Sequence, residues 1–424
     1  MLLQPESHGL WAATAPVPPA TLPLLETVEI DIAIVGAGFT GMSTALHLAE
    51  AGVEVAVVEA NEIGFGGSGR NAGLVNPGFW LPLPQMVGTL GQKAAERMIK
   101  DLGNAPTVVF DLIKKHGIEC EAVRNGNLHM AHSAAGLKEL IERCEEWGKR
   151  GAPVEMLNKE EAAAKTGTRV YHGAMLDHRS GTIQPLSYVR GLAHAATKAG
   201  ARLFTQSPVT SITHDGKRWT VKSQDGVIHS NRLLIATGGY GEKAKQTRHS
   251  TVACFYFQCA TKPLSHNILS ELLPDKNGTW DTHPILKSFR LDAEGRLIFG
   301  SIGRLNNGGG LHKVWANRKM HTMFPQVPEE SWGEAWYGRI AMTSDHMPRL
   351  KEIGPEGLAI YGYNGRGIGP GTVFGRAIAE YFKTGNRNAL PFPLTPKASE
   401  PFAKVRGSVI EMGARAFHIF DGWL

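Results

Sequence analysis

The sequence predicts a protein of two structural domains: an α/β domain built on a parallel sheet, and an α+β domain with a large, mostly antiparallel sheet. The chain has 424 residues, more than the roughly 250 to 300 at which a single core usually stops growing. Residues 28–59 read as strand, glycine-rich turn, helix and strand, and such a βαβ unit requires a parallel sheet. Residues 251–302 have mostly strand character.

Composition narrows the possible partners. The net charge of +6 comes from 45 Lys and Arg against 39 Asp and Glu, spread without runs of like charge, so we expect no nucleic-acid partner. The N-terminal residues do not read as a secretory signal, and no window of 18 uninterrupted apolar residues appears, so we expect no transmembrane segment. Its four cysteines, at 120, 144, 254 and 259, show no paired spacing, and we therefore predict a reducing, cytoplasmic location.

Residues 1–27 are predicted to form an N-terminal arm. Five prolines in this stretch disfavour helix and favour an extended segment on the surface.

The first βαβ unit carries the most informative motif. Residues 28–35 (VEIDIAIV) and 53–59 (VEVAVVE) read as buried strands around a helix at 41–51. Between them, Gly36 permits a tight turn, Gly38 lets the backbone approach a pyrophosphate, and Gly41 lets the helix pack on the sheet. Phosphates would then bind the amides at the helix N-terminus. The motif predicts a dinucleotide-binding, Rossmann-like fold.

Glu59 ends the second strand of this unit. A carboxylate there accepts hydrogen bonds from the ribose hydroxyls of adenosine and disfavours a 2′-phosphate. These residues therefore argue against NADP and leave FAD and NAD open.

Further elements follow from periodicity and turn residues. Helices are predicted at 91–116, 134–150, 185–199 and 373–382, and strands at 128–131, 203–207, 219–223, 233–236, 254–259, 296–300 and 359–363. A glycine turn at 365–371 precedes the last helix.

With these motifs in place, the sequence resembles the D-amino-acid-oxidase-like superfamily of FAD-dependent oxidoreductases, and within it the bacterial γ-glutamylputrescine oxidase group. The matching stretches are GFTGMSTALHLAEAGVEVAVVEA (38–60), IGFGGSGRNAGLV (63–75), GAMLDHRSGTIQPLSY (173–188), ATGGY (236–240) and GYNGRGIGPGTVFGRAIAEYF (362–382). The pairing of an N-terminal dinucleotide fold with a C-terminal glycine turn and helix is more specific than either part.

The resemblance implies bound FAD. It implies these cofactor contacts: Gly36, Gly38, Phe39, Thr40, Gly41, Glu59, Ala60, Gly67, Ser68, Gly69, Arg70, Asn71, Ala72, Gly73, Leu74, Val209, Thr237, Gly238, Gly365, Arg366, Gly367 and Ile368. The segment 336–345 matches the place where sarcosine oxidases attach FAD through a cysteine but contains no cysteine, so we expect noncovalent FAD. At the last turn, a helix N-terminus would stabilise the anionic reduced flavin.

We predict that the FAD-binding domain is discontinuous. It comprises residues 28–90, 151–240 and 336–424, and the substrate domain comprises residues 91–150 and 241–335.

The implied reaction is oxidation of an amine C–N bond to an imine, which water hydrolyses to an aldehyde or ketone, on a γ-glutamylated amine or another polyamine derivative. The alternatives are a D-amino-acid or glycine-type amino-acid oxidase or dehydrogenase, and a non-catalytic FAD-binding or electron-transfer subunit. Sarcosine oxidases hold a substrate carboxylate with a lysine where this chain has Gly369 and Pro370, which argues against a small amino acid clamped in that way. Oxygen and an electron-transport acceptor both remain open.

Trp80, Phe255, Phe257, Arg290 and Arg366 are candidate substrate contacts. Two phenylalanines on one strand face are, however, more often core packing, and a lone arginine is more often a solvated charge. The flavin is the acceptor in such chemistry, and the sequence identifies no catalytic base. We predict no metal site, because His172 and His178 lack a third ligand at zinc-type spacing.

Overall fold

A computed structural model describes residues 7–241, 246–247, 250–305, 310–328, 332–395 and 399–421. Its strands are β1 Thr27–Val35, β2 Val55–Val58, β3 Leu74–Val75, β4 Asn127–Met130, β5 Val154–Leu157, β6 Ala174–Asp177, β7 Gly181–Thr182, β8 Arg202–Phe204, β9 Ser211–His214, β10 Trp219–Lys222, β11 Val227–Ile235, β12 Val252–Thr261, β13 Gly278–Asp281, β14 Lys287–Leu291, β15 Leu297–Ile302, β16 Trp332–Met342, β17 Arg349–Gly354 and β18 Gly357–Tyr361. Its α-helices are α1 Leu10–Thr14, α2 Phe39–Glu50, α3 Leu83–Leu90, α4 Gln92–Gly103, α5 Ala105–His116, α6 Ala134–Gly148, α7 Lys159–Thr166, α8 Pro185–Lys198, α9 His266–Leu269, α10 Gly310–Met323, α11 Ile368–Thr384 and α12 Ala403–Phe420.

The first sheet has the strand order β17-β18-β11-β1-β2-β8. In addition, β10 pairs with β11, and β9 pairs with β10. Neighbours β18, β11, β1, β2 and β8 pair in parallel, while β17, β10 and β9 add antiparallel pairs. In the central register, Ala33 lies opposite both Leu233 and Ala56. All three side chains are fully buried, as expected for parallel strands whose two faces are covered.

Helix α2 crosses between β1 and β2 and packs closely against α11. A Cβ atom on Gly375 would lie 2.6 Å from Cβ of Ser43, so glycine is required for this approach of the two helices. The Ser43 hydroxyl donates to the Thr372 carbonyl oxygen at 2.7 Å. This contact joins α2 of the first βαβ unit to α11.

The second sheet has the order β16-β12-β15-β14-β13-β4-β6-β5. Its neighbours are antiparallel except β13 and β4, which run in parallel. One side of this sheet packs on α10 in an apolar cluster that contains Phe257, Phe299 and Trp315. The predicted fold class, a Rossmann-like α/β domain with an α+β domain and a mostly antiparallel sheet, is confirmed.

The predicted domain boundaries stay a prediction, but sheet membership differs from them in places. Strands β5 and β6 lie within residues 151–240, and their antiparallel pairing with each other and with β4 places them in the second sheet. Strand β16 lies mostly within 336–424 and pairs with β12 of the same sheet.

The expectation of an arm without helix is wrong over five residues. Helix α1 occupies Leu10–Thr14, between Pro5 and Pro16, where proline does not interrupt it. Its Trp11 is fully buried, lies 5.4 Å from the ring of Trp336 and donates from Nε1 to the Asn71 carbonyl oxygen at 2.9 Å. Tertiary packing therefore orders this turn. Residues 1–6 of the arm lie outside the described residues.

Among the described helices, none is long and apolar enough to cross a membrane.

Candidate active site

A cavity of about 1060 Å³ is lined by both sheets and by the loops that follow β1, β2 and β18. The first sheet contributes the ends of β1 and β2 at Val35 and Val58, and the second sheet contributes Tyr256, Trp280 and Ser288. Ligand sites of α/β sheets lie at the carboxyl ends of their strands, and the cavity begins at that edge.

The glycine turn after β1 has the geometry predicted from sequence. Gly36 has φ +108°, and a Cβ atom there would lie 2.8 Å from the Ala236 carbonyl oxygen. A Cβ on Gly38 would lie 2.8 Å from Ser68 Oγ, and one on Gly41 would lie 2.0 Å from the Gly36 oxygen. Gly36 and Gly38 line the cavity, whereas Gly41 sets the contact between helix and strand.

Glu59 lies at the same end of the cavity, at the end of β2. Its Oε2 accepts from the Ala37 N–H at 2.8 Å and its Oε1 from the Asn61 N–H at 3.0 Å. Burial raises the pKa of Glu59, while these amide hydrogen bonds oppose the rise. Ala60 and Val209 line this end beside the carboxyl group.

The side chain of Asn71 makes hydrogen bonds within the loop at 67–74. Asn71 Nδ2 donates to the carbonyl oxygens of Gly67 and Ser68, and its Oδ1 accepts from the Gly73 N–H. Ser68 Oγ accepts from the Phe39 N–H, the first amide of α2, at 3.0 Å. The loop thereby places its polar groups beside the helix N-terminus. The loop residues that line the cavity are Gly67, Ser68, Arg70, Asn71, Ala72 and Leu74.

Gly69 and Gly73 do not line the cavity. A Cβ on Gly69 would lie 2.4 Å from the Gly64 oxygen, and one on Gly73 would lie 2.1 Å from the Ile183 oxygen. Both glycines are explained by close backbone packing. Thr40, Thr237 and Gly238, also predicted as cofactor contacts, do line the cavity.

The last glycine turn connects β18 to α11. Asn364 has φ +54°, and its Oδ1 accepts from the Thr343 N–H at 2.8 Å, which fixes the turn. Gly365, Arg366, Gly367 and Ile368 all line the cavity. A Cβ on Gly367 would meet no heavy atom within 4 Å, so no packing contact requires glycine at this position. The N-terminus of α11 thus faces the cavity, where its dipole favours negative charge.

The donor set fits FAD. The cavity has the size expected for a large ligand. A carboxylate lies at one end, N-terminal amides of α2 lie in the middle, and the N-terminus of α11 lies near the second sheet. Gly38 and Gly367 line the cavity without side chains, and glycine is the residue that lets a ligand approach the backbone closely.

The other end of the cavity contains an aromatic stack around an arginine. The Arg366 guanidinium carbon lies 4.5 Å from the ring centroid of Trp80 and 4.6 Å from that of Trp280. The His129 ring stacks on Trp280 with centroids 3.3 Å apart. Arg366 Nη1 donates to the Pro77 carbonyl oxygen at 2.9 Å, whereas its Nε and Nη2 have no hydrogen-bond partner within the described ranges. Sequence reasoning identified Trp80 and Arg366 as lining residues.

Two polar pairs at this end were missed by sequence reasoning. Tyr256 Oη and Ser288 Oγ form a hydrogen bond of 2.7 Å across β12 and β14. Glu139 and Arg143 lie one helical turn apart on α6, with their nearest oxygen and nitrogen 3.6 Å apart. All four line the cavity. The i,i+4 spacing of the second pair was a visible signal, whereas the first pair depends on strand pairing.

The structure does not bring three of the predicted substrate contacts to the cavity. On β12, Cys254 and Tyr256 face the cavity, so Phe255 and Phe257 point to the opposite face. Phe257 is fully buried in the core. Arg290 is buried under Trp11 and donates to the carbonyl oxygens of Gly73 and Ile183. None of these three residues is part of the cavity lining.

No three His, Cys, Asp or Glu side chains of the described segments are grouped so that they could hold a metal ion.

Comparison with known proteins agrees with this geometry. Residues 31–381 match the family model DAO, FAD dependent oxidoreductase. The gamma-glutamylputrescine oxidoreductase of Escherichia coli (strain K12) is 28% identical over 404 residues, which cover 94% of each chain. The glycine oxidase of Geobacillus kaustophilus (strain HTA426) is 24% identical over 378 residues, covering 87% of this chain and 96% of that protein.

Solved structures show the same fold. The crystal structure of glycine oxidase from Geobacillus kaustophilus superposes with a TM-score of 0.71 at 20% identity, covering 88% of this chain and 100% of that one. The L-proline dehydrogenase from P. horikoshii gives a TM-score of 0.70 at 19% identity, covering 87% and 98%.

The fold and the site define a flavoenzyme that depends on FAD. The chain belongs to the DAO family of FAD-dependent oxidoreductases, whose members act on amines and amino acids. The resemblance stated from sequence is thereby confirmed.

Proposed function

We propose that this enzyme oxidises a C–N bond of an amine, and that its substrate is a γ-glutamylated amine or another polyamine derivative. The main support is the match to a gamma-glutamylputrescine oxidoreductase over 94% of both chains. The cavity also reaches beyond the glycine turns to Trp80, His129 and Trp280 of its lining, and these residues offer a substrate site beside the space assigned to FAD.

FAD would be held along the cavity in three parts. Glu59 and Val209 would hold the adenosine, the α2 N-terminus with the 67–74 loop would hold the pyrophosphate, and residues 365–368 would hold the flavin ring. FAD supplies the acceptor for the hydride that leaves the carbon next to the amine, while a proton leaves the nitrogen. Water then hydrolyses the imine to an aldehyde or ketone.

The side chains at the second sheet would bind and orient the substrate. The rings of Trp80 and Trp280, which contact each other edge to face, would shield the substrate from water, and the hydroxyl groups of Tyr256 and Ser288 would offer it hydrogen bonds. Positioning and desolvation of this kind account for large rate effects without a dedicated base.

We propose that FAD is bound noncovalently. The stretch from Trp336 to Asp345 contains no cysteine. Cys254 lines the cavity, but burial raises the pKa of its thiol to about 12, so it is held as a poorly nucleophilic thiol. Denaturation in acid should release all of the flavin into the supernatant, and flavin that stays with the precipitated protein would contradict this assignment.

Amino-acid oxidation is the second candidate function, supported by the glycine oxidase relative. Gly369 and Pro370 line the cavity where sarcosine oxidases carry a lysine, so this position offers no cation to a small substrate's carboxylate. An electron-transfer subunit is the third candidate, and it predicts bound FAD that no amine reduces.

A substrate panel tests these candidates. The purified enzyme is mixed separately, without oxygen, with γ-glutamylputrescine, putrescine, glycine and D-alanine. Reduction of its flavin is followed in each mixture. Reduction by γ-glutamylputrescine supports the proposal, and reduction by putrescine alone would leave amine oxidation standing but contradict the proposed substrate. Reduction by D-alanine or glycine alone would favour the amino-acid oxidase, and no reduction by any of them would favour the third candidate. Readmission of oxygen then separates an oxidase from a dehydrogenase.

The cytoplasmic location stays a prediction.

A further inference from the structure

A carboxylate and a guanidinium lie side by side at the edge of the cavity. Helix α6 begins after Ser133, whose hydroxyl accepts from the Gly136 N–H at 3.1 Å. It places Glu139 and Arg143 one turn apart, and both line the cavity. The Glu139 side chain is 56% exposed and that of Arg143 is 13% exposed. The pair therefore extends from the solvent into the site.

Glu139 and Arg143 do not form a hydrogen bond with each other. Their closest approach of 3.6 Å is longer than a hydrogen bond. Arg143 Nη2 donates to the Trp80 carbonyl oxygen at 3.0 Å, and no hydrogen bond from its Nε or Nη1 is found in the described part of the chain. Several donors of this guanidinium thus remain for a ligand.

A second guanidinium lies at this end of the cavity. Arg366, which is 9% exposed, adds a second guanidinium with two unbonded nitrogens in the described structure. Burial and the neighbouring Arg143 lower the pKa of Arg366 to about 9. An anionic group on the substrate would offset this repulsion, whereas an unmodified diamine would add to it.

We propose that Glu139 and Arg143 bind an α-amino-acid head group of the substrate. Arg143 would donate to its α-carboxylate, and Glu139 would accept from its α-ammonium. A guanidinium binds a carboxylate through two parallel N–H groups. A γ-glutamyl group ends in this pair of charges, and a free polyamine does not. The inference rests on the proposed function and gives it a residue-level basis for specificity.

The position of the pair agrees with an extended substrate. Arg143 contacts the Trp80 backbone, while the Trp80 side chain donates from Nε1 to the Asn364 carbonyl oxygen at 2.6 Å and stacks on Arg366. The pair is therefore separated from the 365–368 turn by the Trp80 residue. A substrate bound at both places must carry its reacting amine at a distance from its head group.

The test compares two substrates that differ only in the head group. γ-Glutamylputrescine carries the ammonium and carboxylate, and N-butanoylputrescine keeps the amide and the reacting amine but lacks both charges. We expect the wild-type KM to be at least roughly tenfold lower for γ-glutamylputrescine, with similar kcat, because tenfold corresponds to about 1.4 kcal/mol of differential binding.

Arg143→Gln and Glu139→Gln should each remove most of this preference by raising KM for γ-glutamylputrescine alone, and Arg143→Lys should keep part of it. Arg150→Gln is the matched control, because Arg150 pairs with Glu96 away from the cavity. Flavin content and the thermal unfolding midpoint verify that each variant folds. If the Arg143 variants fold poorly, Glu139→Gln still tests the inference, because it changes an exposed side chain.

Failure of the two proposals gives different results. If neither substrate reduces the flavin, the proposed function fails. If both substrates react but the ratio of their KM values is the same in wild type and in the Glu139 and Arg143 variants, only the head-group inference fails.

Discussion

The guanidinium carbon of Arg366 lies 4.5 Å from the centroid of the Trp80 ring. This contact joins the last glycine turn to the loop before α3, two segments far apart in sequence. Trp280 covers the same cation from the second sheet at 4.6 Å. A cation between two indole faces keeps much of its stabilisation when water is excluded.

Removal of the Trp80 ring should therefore weaken the site. We expect Trp80→Ala to lower kcat/KM about tenfold, since a desolvated cation–π contact contributes about 1–2 kcal/mol. Trp80→Phe keeps a ring over Arg366 and should lose less. Steady-state kinetics with γ-glutamylputrescine measure both, and equal losses in the two variants would show that stacking is not the cause.

Two glycines separate folding from cofactor binding. Gly41→Ala places a Cβ 2.0 Å from the Gly36 oxygen, so it should prevent α2 from packing and yield little folded protein. Gly367 has φ −99° and open space around its missing Cβ, so Gly367→Ala should fold normally. Because that Cβ would enter the space assigned to FAD, we expect the variant to bind FAD about tenfold more weakly.

Circular dichroism and FAD titration of the apoprotein check this pair of variants. A Gly367→Ala protein with wild-type affinity for FAD would contradict the position assigned to the flavin.

Glu59 should contribute to FAD affinity through its charge and its two acceptor oxygens. In Glu59→Gln one oxygen becomes an amide nitrogen, which would face the N–H of Ala37 or Asn61. We expect the Kd for FAD to rise roughly tenfold, because the amide offers the ribose hydroxyls one neutral acceptor oxygen in place of a carboxylate, and a hydrogen bond to a charged group contributes about 1.5–3 kcal/mol. Glu54→Gln, on the same βαβ unit but away from the cavity, is the control. An unchanged Kd for Glu59→Gln would remove Glu59 from the cofactor site.

Stability should fall in mild acid because of a buried histidine pair. His418 on α12 contacts His312 on α10, with Nδ1 atoms 2.6 Å apart, and stacks on Trp315. Burial, then the neighbouring His312, Lys287 and Arg318, lower the pKa of His418 from 6.5 to about 3. Below pH 6.5 the unfolded chain binds a proton that the folded chain does not, so the free energy of unfolding decreases as the pH falls towards 3.

The slope from this group approaches about 1.4 kcal/mol per pH unit. In urea unfolding, the free energy of unfolding of His418→Gln should depend less steeply on pH below pH 6.5 than that of the wild type. The control His266→Gln, at an exposed position, should keep the wild-type dependence. Parallel curves for wild type and His418→Gln would exclude this histidine as the source.

The local parts of the fold could be predicted from sequence. The βαβ unit and its glycines are encoded within about thirty residues, where hydrophobic period and turn chemistry act directly. The 365–371 turn is local in the same way. The helix α12 was missed because several of its apolar residues, Val405, Val409 and Met412, face solvent while Ala414 and His418 are buried.

The substrate end was harder to predict, because it depends on which face of each strand is turned inward. Phe255 and Tyr256 are adjacent on β12, and a shift of one residue exchanges the faces. Tyr256 meets Ser288 only through the pairing of β12 with β15 and of β15 with β14. Such non-local register is not visible in one sequence. The i,i+4 spacing of Glu139 and Arg143 on α6, by contrast, predicts that the two side chains share one face of a helix.

Anaerobic single turnover is the most direct test of whether this enzyme oxidises a γ-glutamylated amine with its flavin. The oxidised enzyme is mixed with a small excess of γ-glutamylputrescine without oxygen, and flavin absorbance and aldehyde are measured together. We expect complete loss of oxidised-flavin absorbance, with one aldehyde formed for each flavin reduced. Full retention of the absorbance with no aldehyde, in protein that contains FAD, would contradict it.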